Sequence, residues 1–218
     1  MKVLLEMPSA ARACYVMAHG AGAGMSHPFM EAVAKGLAAH GIATLRYEFP
    51  YMEKGSKRPD SPAIAKARVR EAILEASHRT AGLPLFAGGK SFGGRMTSQA
   101  QAEDALPGVR GLVFFGFPLH APGKPSDERA SHLADVGVPM LFLQGTRDDF
   151  ATLDLLQPLV QRLGKRATLE LFADADHSFH VPARSGRKDP DVRSEMLEKA
   201  ANWMTERDRA EHEGRRPG

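Results

Sequence analysis

Residues 88–94 read GGKSFGG and contain the pattern Gly-x-Ser-x-Gly, with Ser91 at its centre. The pattern follows an apolar run of strand length, residues 83–87, and precedes a segment with helical spacing that begins at Gly93. A serine on a tight strand-to-helix turn needs glycine-sized neighbours two positions away, because larger side chains would collide with nearby backbone. The pattern therefore predicts that Ser91 is a nucleophile, and a Gly-rich turn without chemistry is the alternative.

A serine hydroxyl is a weak nucleophile and needs a general base, which an acid holds in place. His177 follows the last apolar run of the chain, residues 169–172, and is our candidate for the base. His180 is the alternative, and we interpret it as a histidine of the surface or of the approach to the next helix. Asp174 and Asp176 precede His177, and we expect them to form hydrogen bonds within the turn.

The acid is expected after the preceding apolar run, residues 140–143, because the chain order Ser, Asp, His is typical of this chemistry on a parallel sheet. Asp148 stands three residues after the turn glycine Gly145 and is our candidate. Asp149 is the alternative, and it could instead serve as an N-cap residue for the predicted helix at residues 153–163.

The small-residue segment HGAGAG, residues 19–24, follows the apolar run at residues 14–18. Acyl transfer needs backbone N–H groups aimed at the oxygen that becomes negative, and small residues let the chain approach a substrate closely. We assign the oxyanion hole to the amides of Ala21 and Phe92, since the residue after a nucleophile points its amide into the same pocket. His19 precedes the turn, and we expect it to be a buried, hydrogen-bonded structural residue.

Patterns for nucleotide and metal binding are incomplete in this chain. A phosphate-binding loop would need glycine where Pro84 stands, so Lys90 lies in the wrong frame, and residues 19–24 lack the third glycine of the dinucleotide pattern. No His-Glu-x-x-His pattern occurs, and the pair His177 and His180 lacks a strong third ligand other than the turn aspartates. We therefore expect no metal and no organic cofactor.

The chain has 218 residues, of which 43% are hydrophobic, and 29 Lys and Arg against 26 Asp and Glu give a formal charge of +3. This composition excludes a disordered chain and predicts one domain, residues 1–206, followed by a flexible C-terminal tail, residues 207–218. Basic and acidic residues are interleaved, which argues against nucleic-acid binding. No apolar stretch has the length of a membrane span or a signal peptide, so we expect a cytoplasmic protein with Cys14 as a small buried hydrophobe.

Short apolar runs alternate along the chain with longer segments of helical spacing. Several runs are continuous, as expected of strands covered by helices on both faces. This order predicts a three-layer α/β fold with a mostly parallel sheet of about six to seven strands, whose ligands bind beyond the carboxyl ends of the strands. The predicted strands are residues 14–18, 42–45, 83–87, 112–115, 140–143 and 169–172, and the predicted helices are residues 28–39, 62–79, 93–105, 153–163 and 190–206.

The connection between the fourth and fifth predicted strands has room only for a loop and one short helix near residues 126–135, which implies an open site. Side chains at the strand-end turns are the candidates for a substrate pocket. The apolar ones could bind an apolar acyl chain, and His120 and Tyr51 are weaker candidates for polar contacts to the substrate. The apolar candidates are Phe92, Phe117, Leu119, Phe150 and Phe179.

With these residues placed, the sequence resembles the α/β-hydrolase superfamily over nearly its whole length, and within it the short, nearly lidless branch that is similar to dienelactone hydrolases. In dienelactone hydrolases the nucleophile is usually cysteine, whereas the matching position here is Ser91, so their lactone chemistry is not implied. The segments that carry the resemblance are HGAGAG at residues 19–24, GGKSFGGR at 88–95, LQGTRDDF at 143–150 and DADHSF at 174–179.

The resemblance and the three candidate residues together lead us to expect a serine hydrolase that acts on a small carboxylic ester or a related acyl substrate. Two alternatives belong to other classes. The fold could be a noncatalytic binding module, because some distant relatives of such hydrolases look like partners in protein assemblies. The acyl group could also pass to an alcohol or thiol, since transfer and hydrolysis share an acyl-enzyme. The expected partner is a small-molecule substrate, and the sequence leaves the oligomeric state open.

Overall fold

The computed structural model describes the backbone of residues 1–214 and the side chains of residues 1–209. Seven strands form one sheet in the order β1-β3-β2-β4-β5-β6-β7. Only β1 pairs in the antiparallel direction, with β3, so the predicted mostly parallel sheet is confirmed. The strands are β1 (Val3–Glu6), β2 (Ala13–Ala18), β3 (Ile42–Tyr47), β4 (Leu85–Lys90), β5 (Val109–Phe115), β6 (Met140–Gly145) and β7 (Ala167–Phe172).

Helices cover both faces of the sheet, and the strand residues alternate between two cores. Along β2, Cys14 and Val16 belong to the core beneath α3, α4 and α5, while Tyr15 and Met17 belong to the core beneath α1 and α6. This alternation follows from the two-residue period of a strand. The helices are α1 (Pro28–Ala39), α2 (Pro50–Glu53), α3 (Pro62–Arg79), α4 (Phe92–Glu103), α5 (Leu153–Leu163) and α6 (Asp189–Gly214).

The last helix extends beyond its predicted end at residue 206. The α6 helix continues to Gly214, so residues 207–214 of the predicted tail are helical, and residues 215–218 lie outside the described residues. Two contacts stabilise the helix just past residue 206: the Arg207 guanidinium lies 5.5 Å from the ring of Trp203, one turn earlier in the same helix, and Asp208 pairs with Arg110 on β5.

The connection from β5 to β6 is as short as the sequence implied. It contains one 3-10 helix, Glu128–Asp135, and no inserted domain that could cover the carboxyl edge of the sheet. Among the described residues, no helix is both long enough and apolar enough to cross a membrane.

Candidate active site

Ser91 lies on the sharp turn between β4 and α4. Its backbone has φ 49° and ψ −115°, a conformation that costs a non-glycine residue strain energy. The Ser91 amide donates a hydrogen bond of 3.2 Å to the carbonyl of Phe115 at the end of β5. The turn therefore anchors the backbone to the neighbouring strand and lifts the Ser91 side chain above the carboxyl edge of the sheet.

The glycines on either side of Ser91 allow the turn to pack directly on the end of β2. A Cβ atom at Gly89 would lie 2.2 Å from the carbonyl oxygen of Ala18, and one at Gly93 would lie 2.6 Å from the carbonyl oxygens of Ala18 and His19. Real Cβ atoms do not approach backbone this closely. The Gly-x-Ser-x-Gly spacing is thus required by the contact between the turn and the strand that leads to residues 19–24.

The structure brings Ser91, His177 and Asp148 into one hydrogen-bonded row. The Nε2 atom of His177 is 2.9 Å from Ser91 Oγ, and its Nδ1 atom is 2.7 Å from Asp148 Oδ2. A carboxylate can only accept, so Nδ1 carries a proton and the neutral ring leaves Nε2 free to accept the Ser91 hydroxyl proton. The Asp148 side chain is fully buried, whereas the imidazole is 19% exposed on the cavity side.

Two further donors fix the Asp148 carboxylate. The Phe150 amide donates to Oδ1 at 2.8 Å, and the side-chain amide of Gln144 donates to Oδ2 at 2.5 Å. Asp149, the alternative acid, is exposed to solvent. Sequence reasoning missed Gln144, although a polar residue directly after a run of buried apolar ones is the kind of signal that could have identified it.

The loops after β6 and β7 are hydrogen-bonded to each other, and this pairing places Asp148 beside His177. The Arg147 amide donates to the Ala175 carbonyl at 2.9 Å, and the Asp174 amide donates to Thr146 Oγ1 at 2.9 Å. Within the second loop, Asp176 Oδ1 accepts from the backbone amides of residues 178 and 180 at 2.7 and 3.0 Å. These hydrogen bonds of Asp176 fix the turn that carries His177.

His180 does not join this row. Its Nδ1 atom is 2.8 Å from Asp189 Oδ2 at the start of α6, and both side chains are substantially exposed. The Asp189 hydrogen bond raises the pKa of His180. The structure thus places the alternative base at the surface, away from Ser91.

The amides assigned to the oxyanion hole belong to two segments that meet at Ser91. Ala21 lines the cavity beside Ser91. The Phe92 amide is the first of α4, where amides have no acceptor within the helix. The Tyr51 hydroxyl accepts from the Gly22 amide at 3.1 Å, so Tyr51 supports the loop of residues 19–24 from within the protein.

His19 is a buried structural residue, as expected. Its Nδ1 atom donates to the Gly20 carbonyl at 2.8 Å, and its Nε2 atom accepts from the Phe49 amide at 3.1 Å. Burial lowers the pKa of His19, which keeps the ring neutral and suits this pair of hydrogen bonds. Cys14 is also buried, and burial raises the pKa of its thiol to about 11.

A cavity of about 500 Å³ opens beside the Ser91 side chain. Its walls combine aromatic and polar groups, and the Phe150 ring lies against the His177 imidazole with 4.4 Å between ring centroids. The lining includes Ala21, Phe29, Lys90, Ser91, Phe150 and His177.

Three of the four residues predicted to form the substrate pocket have other positions. Phe117 is fully buried and packs on Phe114 and Phe142 in the core, so its ring does not line the cavity. His120 is buried between two loops, where it accepts from the Thr152 amide at 3.3 Å and donates to the Ala121 carbonyl at 2.9 Å. Both predictions were wrong because the loop after β5 turns these side chains inward.

Phe179, the third of these residues, is also buried, with 4% of its surface exposed. Its ring stacks on the Phe29 ring at 6.1 Å and therefore supports a cavity wall from behind. Within residues 1–209, no group of three His, Cys, Asp or Glu side chains is arranged to hold a metal ion.

Comparison with known proteins places this geometry in a family. A family model described as an alpha/beta hydrolase domain matches residues 11–205. Among the solved structures that share the fold is an alpha-beta serine hydrolase homologue from Coxiella burnetii, with a TM-score of 0.73, 19% identity and 90% of each chain covered. A dienelactone hydrolase from Anabaena variabilis has a TM-score of 0.75 and 22% identity, with 94% of this chain and 90% of that chain covered. An a/b serine hydrolase without lid from Xanthomonas campestris has a TM-score of 0.72 and 20% identity, with 92% of this chain and 88% of that chain covered. The chain belongs to the alpha/beta hydrolase domain family.

Proposed function

We propose that this chain is a serine hydrolase that cleaves a small carboxylic ester or a related acyl substrate. The observation that carries the proposal is the row in which His177 Nε2 lies 2.9 Å from Ser91 Oγ while Nδ1 lies 2.7 Å from Asp148 Oδ2. His177 thus lies within hydrogen-bond reach of both Ser91 and Asp148, which is the arrangement that acyl transfer through serine requires.

In the first half of the reaction, Ser91 Oγ bonds to the ester carbonyl carbon as His177 Nε2 takes the hydroxyl proton. The carbonyl electron pair moves onto oxygen, and the amides of Ala21 and Phe92 stabilise that negative oxygen. The intermediate then breaks its bond to the leaving oxygen, which takes the proton from His177. Asp148 stabilises the positive imidazolium and holds its orientation throughout.

In the second half, His177 takes a proton from water as the water oxygen bonds to the acyl carbon. The bond from that carbon to Ser91 Oγ then breaks, Ser91 Oγ takes the proton back from His177, and the carboxylic acid is released. An alcohol or thiol in place of water would give acyl transfer with the same residues. The open carboxyl edge lets either acceptor reach the acyl group. Whether hydrolysis or acyl transfer predominates then depends on how well water and the alcohol or thiol bind beside the acyl-enzyme. Product analysis with and without added alcohol separates them.

Labelling with a serine-directed fluorophosphonate tests the proposal, and Ser178 provides a matched control because it lines the same cavity. We expect the parent protein and Ser178→Ala to be labelled and to hydrolyse aryl esters. We expect Ser91→Ala to lose the label and to lose ester turnover by a factor on the order of a thousand or more, with its fold intact.

Two results would contradict the proposal. A parent protein that takes no label and turns over no ester would favour the noncatalytic binding module. A folded Ser91→Ala protein with the parental rate would require a different nucleophile.

A further inference from the structure

The side chain of Lys90 has no role in the chemistry described above, although it directly precedes Ser91. Lys90 is the last residue of β4, and its ammonium donates to the backbone carbonyl of His177 at 2.5 Å. One residue therefore links the turn that carries the nucleophile to the loop that carries the base. The two loops lie 87 residues apart in sequence at this contact.

The Lys90 side chain is half-buried, and its ammonium lies near two aromatic rings. Its Nζ atom is 5.7 Å from the centroid of the Phe179 ring and 5.9 Å from that of the Phe29 ring. Asp148 and Asp176 attract the charge from a distance, and no ion pair to Lys90 is formed by the described side chains. Burial lowers the pKa of Lys90 to about 8, so folding places this charge where it is disfavoured.

A glycine at the end of β5 makes room for this arrangement. A Cβ atom at Gly116 would lie 2.9 Å from Lys90 Nζ and 3.3 Å from the His177 ring. The Lys90 stem also passes Gly20, where a Cβ atom would lie 3.6 Å from Lys90 Cγ. The carboxyl ends of β2, β4 and β5 thus leave a space beside the His177 loop. The Lys90 side chain fills this space, and its ammonium reaches the loop.

An apolar side chain of the same length would fill this space without the cost of burying a charge. The role of the charge is therefore not packing. The hydrogen bond from the ammonium to the His177 carbonyl indicates that the charge positions the His177 loop. We propose that Lys90 is a positioning residue, whose ammonium holds the His177 carbonyl and so keeps Nε2 within reach of Ser91 Oγ. The proposal rests on the proposed function, because it concerns the same base.

Lys90→Met tests the proposal, with Lys124→Met as the control at an exposed lysine. We expect Lys90→Met to lower kcat on a neutral aryl ester by about tenfold to a hundredfold, because small displacements of a catalytic group have effects of this size. The KM should stay near the parental value, and the rate of fluorophosphonate labelling should fall with kcat. Lys124→Met should match the parent in all three measurements.

Restoring the ammonium provides the complementary test. Lys90→Cys can be aminoethylated to rebuild a lysine-like side chain, and the other cysteine, Cys14, is fully buried. We expect aminoethylation to recover most of the lost kcat, whereas a methylthio group on the same cysteine, which is neutral, should recover none. Equal recovery with both groups would show that only volume matters and would overturn the proposal.

A proton NMR spectrum separates this proposal from the proposed function. The proton between His177 Nδ1 and Asp148 Oδ2 should give a far-downfield resonance in the parent, and Lys90→Met should broaden or shift it. This measurement needs no turnover, so it tests the positioning role even if no ester is cleaved. Parental kcat and an unchanged resonance in Lys90→Met would overturn the proposal, as would a raised KM with parental kcat, which would indicate substrate binding.

Discussion

The side-chain amide of Gln144 donates to Asp148 Oδ2, the same oxygen that faces Nδ1 of His177. The amide orientation is determined by its other end, because Gln144 Oε1 accepts from the Phe117 amide at 2.9 Å. Gln144 is fully buried, so neither contact is exchanged for water. The carboxylate is therefore held in one orientation by a residue that does not touch the base.

Replacing Gln144 should lower the activity. Gln144→Met keeps the length of the side chain but removes both the donor to Asp148 Oδ2 and the acceptor of the Phe117 amide. We expect it to lower kcat/KM on an aryl ester by about tenfold, because the carboxylate loses one of the contacts that orient it. Gln161→Met on the exposed face of α5 is the control. A parental kcat/KM in Gln144→Met would contradict this expectation.

The acid can be identified by comparing two adjacent substitutions. Asp148→Asn should lower kcat by a factor on the order of a thousand or more, because the amide disfavours the ring tautomer that accepts the Ser91 proton. Asp149→Asn should stay near the parental rate, since Asp149 is exposed. Steady-state kinetics on one aryl ester suffice as the measurement. Equal losses, or the larger loss in Asp149→Asn, would reassign the acid.

The elements that position these residues could be predicted because strands β2 to β6 are almost entirely buried and mostly apolar, whereas β7 at the sheet edge is half-buried but still ends in apolar residues. In the part of the chain that the structure describes, six of the seven strands and five of the six α-helices coincide with predicted segments. The strand and the α-helix that the sequence did not indicate are β1 and α2. Each has four residues, and β1 is a half-buried edge strand, so neither contains enough residues to establish a hydrophobic period.

The substrate pocket was harder to predict because a strand determines only where a loop begins. Ser91, Asp148 and His177 follow their strands within a few residues, and their types indicate chemistry. Phe117 and His120 also follow a strand, but backbone contacts of the loop turn them into the protein. Such contacts join residues far apart in sequence, and no local pattern specifies them.

Gly93 allows a test of how closely the turn that carries Ser91 must approach β2. In Gly93→Ala the new Cβ would lie 2.6 Å from two backbone carbonyl oxygens, and neither can move as a flexible side chain would. We expect the free energy of unfolding to fall by about 1–3 kcal/mol or more, together with activity. Gly137→Ala is the control, because a Cβ there has no atom within 4 Å. Denaturant titration of both variants is the measurement, and equal stability would contradict the close packing.

His132 on the 3-10 helix gives a prediction for stability that does not involve the active site. Its Nε2 atom is 2.8 Å from the hydroxyl of Ser98 on α4. Burial lowers the pKa of His132 to about 4, the positive charges of Arg95 and Lys66 act in the same direction, and Asp135 opposes them. The folded protein thus keeps this histidine neutral over a range of pH in which the unfolded chain is protonated.

The sign of the effect follows from proton binding. Between pH about 6.5 and about 4 the unfolded chain binds a proton at His132 that the folded protein does not, so the free energy of unfolding falls as pH falls through this window. His132→Gln stays neutral at every pH. Its Tm should therefore fall by less than the Tm of the parent when the pH is lowered from about 6.5 to about 4. His78→Gln, at an exposed position of α3, should follow the parent. An equal fall of Tm in the parent and in His132→Gln across this window would contradict the prediction. It would show that His132 binds its proton equally well in the folded protein and in the unfolded chain.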